Sequence, residues 1–205
     1  MGPIVLLLIV GFLIFLIVPI TLLGVALVSL VEAPSQLVHL LRHPQVRKNH
    51  ALEHATINLL QPQLGISLSG MSYPDRFVIM GVADPYLVLA AAQQAQRLLA
   101  QGHTELAVHA RCGTTALLSS FFFAVFFLLL SWQIGLFSWL NIVLSVVIAW
   151  ALGSVVSPWV QRYITTDPHV QNLEIMGAEV TFSWAFPSGV VVYTRENNDV
   201  QWSIR

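Results

Sequence analysis

Between Gly2 and Val31, and again between Cys112 and Gln161, the chain contains no Lys, Arg, Asp or Glu. Uncharged apolar runs of that length leave few folds open. A helix over the first would be roughly 45 Å long at about 1.5 Å per residue, enough to cross a hydrocarbon layer with tilt. The second run accommodates two spans joined by a tight turn around Ser131 to Gly135, with helices expected near Thr114 to Leu130 and Phe137 to Pro158. No Lys or Arg precedes the first run, and it is too long for a signal-peptide core, so a retained span is expected rather than a cleaved leader. Composition points the same way: 56% of the 205 residues are hydrophobic and 9% charged, where a soluble domain carries about a quarter charged residues.

Orientation follows from the basic residues. Arg42, Arg47, Lys48, Arg76, Arg97 and Arg111 lie between the first two spans, and Arg162, Arg195 and Arg205 follow the third. With three spans all nine share one side, which the positive-inside rule makes cytoplasmic. The lone cysteine, Cys112, forms no internal disulfide and suits a reducing compartment as a thiol or metal ligand. The expected fold is an α-helical membrane protein of about three transmembrane helices with a small α+β cytoplasmic module and a C-terminal β meander. Its expected divisions are a first span over 1–31, the module over 32–113, spans two and three over 114–158, and a β-rich cytoplasmic tail over 159–205.

Within the module, Gln45 to Leu60 reads as an amphipathic helix. Ala51, Leu52, Ala55 and Leu59 form its apolar stripe, and Arg47, His50, Glu53, His54 and Asn58 fall on the opposite, water-facing side. Gln61 to Asp75, with Pro62, Gly65, Gly70 and Pro74, reads as a loop, and Arg76 to Val82 as a strand. Asp84 before Pro85 is a helix start, so Pro85 to Gln101 should be helical and stop at Gly102. Glu105 to His109 reads as a second short strand. The tail from Val170 to Ile204 alternates apolar and polar residues around turn signals at Pro187-Ser188-Gly189 and Asn197-Asn198-Asp199.

The sequence His50-Ala51-Leu52-Glu53-His54 is where chemistry is expected. Two imidazoles four residues apart share a helix face and can bind one metal, while a carboxylate at the third position stands beside them, placed to take a proton from a water that the metal activates. His50 and His54 are thus candidate ligands of a zinc ion and Glu53 the candidate catalytic base. A third protein ligand is needed. His109 is the first choice, Glu105 the alternative on the same side of the expected strand, and Cys112 a further donor. Three protein ligands leave a coordination position open, whereas a fourth closes the shell and favours a structural metal. His39, His43, His103 and His169 read as surface or loop residues. The chain contains no G-x-S-x-G, phosphate-binding glycine loop, C-x-x-C or basic patch, which argues against a serine hydrolase, a nucleotide enzyme or a nucleic-acid binder.

The stretch Arg47 to Leu59, containing Asn49-His50-Ala51-Leu52-Glu53-His54-Ala55-Thr56-Ile57, together with Leu106-Ala107-Val108-His109 and Cys112-Gly113-Thr114, resembles an uncharacterised family of cyanobacterial membrane proteins from about residue 45 into the second span. That resemblance implies a plasma or thylakoid membrane and brings no activity. Over five residues, His50 to His54 also resemble the H-x-x-E-H zinc motif of inverzincin metallopeptidases, where a Glu is the usual third ligand. The expected function is a membrane-embedded zinc hydrolase of metallopeptidase type, acting near the membrane surface on a membrane-protein segment or a lipid. Its rival is a non-catalytic assembly or scaffold protein with a structural metal or none, docking a membrane complex.

Overall fold

A computed structural model describes residues 2–183 and 186–197. In chain order the elements are α1 (Gly2–Arg42), α2 (Pro44–Leu64), β1 (Ser69–Ser72), β2 (Arg76–Met80), α3 (Pro85–Ala100), a 3₁₀ turn (Thr104–Ala107), α4 (Gly113–Ile134), α5 (Trp139–Val160), a π turn (Gln161–Thr165), β3 (Leu173–Ser183) and β4 (Phe186–Glu196). They form two compact units: the residues up to Gln36 with Gly113–Ser157, and Leu37–Cys112 with the residues from Pro158 onward.

The first unit is helical. Ala26, Phe123, Ala124, Phe127 and Ala149 make its small core, and much of the remaining apolar surface is bare, with Leu7 71% and Leu8 69% exposed. Among the described residues, three helices are long and apolar enough to cross a membrane. The first runs on past Val31 through Glu32 and Pro34 to Arg42. The polar groups of the α4–α5 hairpin satisfy one another, as hydrocarbon surroundings would require. Fully buried Asn141 donates from Nδ2 to Ser131 Oγ at 2.7 Å and accepts from Ser145 Oγ at 3.1 Å. Gly135, at φ 93°, makes the connection, a left-handed position that favours glycine.

The second unit carries a four-stranded antiparallel sheet in the order β1-β2-β4-β3. α2 packs against β1, β2 and α3, while α3 packs against β3 and β4. Leu52, Ile57, Leu60, Leu68, Phe77, Ile79, Val88, Val190 and Val192 fill the core between them. Local chemistry fixes the helix ends. Pro44 opens α2 where its missing N–H is no loss, and Gly65 closes it at φ 65°. The Asp84 carboxylate caps α3 by accepting from the amides of Tyr86 (2.9 Å) and Leu87 (3.1 Å).

Five expectations need correction. The Gln61–Asp75 segment is not all loop, because Ser69–Ser72 pairs with Phe77–Met80 as β1. Glu105–His109 is not a strand: its first residues belong to the 3₁₀ turn, and the carbonyls that a strand would spend on a neighbour go to side chains of α2. Asn58 Nδ2 donates to Leu106 O (3.0 Å) and Val108 O (2.9 Å), and His54 Nδ1 to Ala107 O (2.8 Å). The tail is no separate meander, since β4 pairs with β2 and completes the module's own sheet. Pro187-Ser188-Gly189 is not a turn but lies within β4; Asn198 to Ile204 lie outside the described residues. The water-facing side assigned to α2 is also withdrawn from water, with Glu53 4% and His54 1% exposed and Arg47, His50 and Asn58 half-buried.

Candidate metal centre

All the histidines of interest arise from, or lean on, α2. His50 and His54 are one helical turn apart and their rings lie 4.2 Å centroid to centroid. The residue before α4, Cys112, brings its Sγ to 3.3 Å from His50 Nε2. One donor atom each from His50, His54 and Cys112 falls within 4.8 Å of the other two, the spacing at which a single ion can be shared.

The rings are held in one tautomer. A backbone carbonyl only accepts, so His50 donates from Nδ1 to Thr165 O (3.0 Å) and His54 donates from Nδ1 to Ala107 O (2.8 Å). In both rings the proton on Nδ1 leaves Nε2 with its lone pair, the arrangement that metal-ligating histidines adopt when a second group orients them. The Thr165 carbonyl stands at the end of the π turn that continues α5, where helix geometry leaves carbonyls without partners in their own helix. Burial lowers the pKa of His50, and lowers that of His54 well below the ordinary histidine value with His50 adding to the effect; both rings are therefore neutral, as a ligand must be.

His109 lies beside this cluster and outside it. Its ring centroid is 5.8 Å from that of His54. Asn58 spends both amide hydrogens on backbone carbonyls, which fixes its Oδ1 as the acceptor of the His109 Nδ1 proton at 2.8 Å. His109 Nε2 is thereby left as a buried lone pair, and it has no hydrogen-bond partner among the described residues. The backbone N–H of His109 donates to Gln161 Oε1 at 2.9 Å, tying the segment to the π turn.

The two acids part company. Glu105 is exposed and pairs with His103 at 3.1 Å, away from the donors; as a turn residue it loses the even strand spacing that aligned it with His109. Glu53 is buried and accepts from Ser72 Oγ at 2.5 Å. It is not among the donors gathered within 4.8 Å. Its carboxyl lies on the backbone of Gly70, where a β-carbon would meet Oε1 first, with Cδ at 2.6 Å and Cγ at 2.8 Å. Burial pushes its pKa up to about 7, against the opposite pull of the Ser72 hydrogen bond. Such an acid exchanges its proton near neutral pH, the property a general base needs.

The structure thus brings His50, His54 and Cys112 together, sets His109 beside His54, holds the Glu53 carboxyl against Ser72 and Gly70, and leaves Glu105 in solvent. Sequence reasoning missed the supporting residues. Asn58 was visible, being one turn beyond His54 on the same face, but Thr165, Ser72 and Gly70 carry no local signal. His39, His43, His103 and His169 are exposed, in keeping with surface roles.

The model of a family described as a domain of unknown function (DUF6391) matches residues 45–178, a stretch that contains every residue of this centre. No curated protein and no solved structure matches the chain.

Proposed function

We propose that this chain, which belongs to the DUF6391 family through a match over well more than half its length, is a membrane-spanning zinc protein of hydrolase type whose ion is held by His50, His54 and Cys112. The observation that carries this reading is the convergence of those three donors, with both imidazoles turned Nε2-outward by backbone carbonyls. Catalytic zinc keeps three protein ligands drawn from His, Cys and carboxylate, and a Cys–His₂ set would leave one coordination position for water or substrate. Zinc there would supply a Lewis acid that polarises a carbonyl and makes water a nucleophile at neutral pH. Glu53 would serve as the base for such a water, its carboxyl held by Ser72 and by burial. Chain position supports a membrane-embedded substrate: Cys112 immediately precedes α4, and His50 follows shortly after α1 ends at Arg42. If the three apolar helices span the bilayer, all nine basic residues share one side with the centre, which by the positive-inside rule supports a cytoplasmic site.

A second reading, an assembly or scaffold protein with a closed structural site, is favoured by one observation. The buried, unpartnered Nε2 of His109 stands near His54 and would complete a Cys–His₃ shell. X-ray absorption at the zinc edge separates the two: two nitrogens, one sulfur and one oxygen for the hydrolase, three nitrogens and one sulfur for the scaffold. Elemental mass spectrometry of the detergent-purified chain should find about one zinc per protein, absent from the His50→Ala/His54→Ala variant. With 4-nitrophenyl acetate as a general hydrolase probe, Glu53→Gln should keep the metal and lose turnover. No metal in well-folded protein would overturn both forms of the zinc site, and full activity of Glu53→Gln would remove Glu53 from the mechanism.

A further inference from the structure

Behind the metal histidines the second unit holds a cleft of about 430 Å³ whose wall includes Arg47, Arg162, Thr104, Thr166, Asp167 and His169. Two features of it are unusual. Arg47 and Arg162 both line it, yet among the described residues neither is in an ion pair. Arg47 is only partly exposed, and its Nε is buried with no hydrogen-bond partner among the described residues, while its Nη2 makes one long contact to Thr166 O at 3.5 Å. A guanidinium partly withdrawn from water with an unspent donor is costly unless something accepts from it. The acid in the wall is paired with neither: Asp167 Oδ1 accepts from the ring and the amide of His169 at 2.8 and 3.1 Å, and no ion pair joins it to Arg47 or Arg162 among the described residues.

The position of Arg162 says which anion. It lies in the π turn directly beyond α5, and the last turn of that apolar helix also carries Trp159, whose ring lies 5.4 Å from that of Tyr163, both of them 59% exposed. Amphipathic rings at the end of an apolar helix mark the headgroup level of a bilayer, and basic residues there meet anionic lipid. Guanidinium forks and hydroxyls, here from Thr104, are the donors that phosphate oxygens take.

We propose that this cleft binds the phosphate of an anionic phospholipid headgroup, with Arg47 and Arg162 as its two cationic contacts. The assignment stands without the metal. It does bear on it, because Ala107, whose carbonyl orients His54, lines the cleft, and Thr166 in its wall follows Thr165, whose carbonyl orients His50.

The test uses the full chain in neutral detergent, titrated with phosphatidylglycerol, phosphatidylcholine or inorganic phosphate, with binding read by native mass spectrometry and thermal shift. Phosphatidylglycerol should bind saturably and preferentially. Arg47→Gln and Arg162→Gln should each weaken it about fivefold, the equivalent of about 1 kcal/mol per basic residue at a lipid surface. Arg195→Gln, which removes an equal charge from an exposed pair with Glu174, should leave binding unchanged. Arg162 is exposed, so its variant remains informative if Arg47→Gln fails to fold. Equal binding of phosphatidylcholine, or an equal loss in Arg195→Gln, would overturn the site; inorganic phosphate binding as tightly as the lipid would overturn the lipid assignment.

Discussion

Replacing Gly70 by Ala tests whether the buried acid is held where the site requires it. The backbone of Gly70 is ordinary strand, so the added methyl brings no conformational strain of its own. What it meets is Glu53: Oε1 first, then Cδ at 2.6 Å and Cγ at 2.8 Å. A flexible carboxylate in solvent would swing aside cheaply. Glu53 is 4% exposed and anchored to Ser72 at 2.5 Å, so moving it means overpacking its surroundings and breaking that bond. Overpacking costs about 1–3 kcal/mol and a buried hydrogen bond about 1 kcal/mol, so the sum centres near 3 kcal/mol. For a chain of this size that lowers Tm by about 6–12 °C. Thermal unfolding of the detergent-solubilised chain by circular dichroism measures it, with hydrogen exchange across residues 65–80 locating the damage. The decisive comparison is a double-mutant cycle. In a Glu53→Ala background the methyl enters the space the carboxyl vacated, so Gly70→Ala should cost less than about 1 kcal/mol, a coupling of about 2 kcal/mol. A Tm within about 1 °C of the parent, or the same loss in both backgrounds, would refute the packing argument.

Three further outcomes are expected. Zinc binding at pH 7 should release about one proton, from the Cys112 thiol alone, because the lowered pKa values of His50 and His54 leave both rings already neutral; calorimetry in buffers of different ionisation heat counts it, and Cys112→Ser should bring it to about zero. Lys48 holds Glu196 at 2.6 Å, and this hydrogen bond, with Gln45 adding to it, lowers the Glu196 pKa. A lowered carboxylate stabilises the fold above its unfolded pKa and ceases to as pH falls through its folded one, so Lys48→Met should depress Tm at pH 7 and lose that effect in acid. Gly189→Ala should be worse tolerated than Gly70→Ala, because the β-carbon meets the Ile79 carbonyl, with Ile79 C and Met80 Cα each at 3.1 Å, and backbone in a paired strand cannot yield as a side chain can; a Tm loss smaller than that of Gly70→Ala would contradict this.

What the sequence made legible is what local physics decides. Uncharged length alone marked the three long helices, and the Asp84–Pro85 pair set the start of α3 to the residue. The His50–His54 pair was readable because a four-residue step is a property of any helix. The third donor was legible only as one of three candidates, His109, Glu105 and Cys112, which spacing does not rank. Cys112 is 62 positions from its His50 neighbour, and the general expectation for a lone cysteine at the mouth of an apolar helix is a small buried residue. Cys112 is buried as well, so burial alone would not have separated the two roles. The polar side of α2 failed for a related reason. Periodicity sorts residues by polarity, and polarity predicts solvent only while no partner is supplied. Here Thr194, Tyr73, Ala107 and Ser72 supply partners to Asn49, His54 and Glu53 from distant parts of the chain.

The glycines show the same division in one residue type. Gly65, Gly102 and Gly135 have φ of 65°, 97° and 93°, and each ends a helix or follows its end; a composition-based reading places breaks there correctly. Gly70 and Gly189 sit in strands with no such φ, and are needed because Glu53 and the Ile79 carbonyl come too close for a side chain. Treating all five as breakers dissolved β1 into a loop and put a turn inside β4. The two uses differ only in what lies opposite, and in the case of Gly70 what lies opposite is the acid assigned to the reaction. A glycine at a strand position with no turn chemistry around it is therefore a pointer to close approach, and here it leads to the buried Glu53.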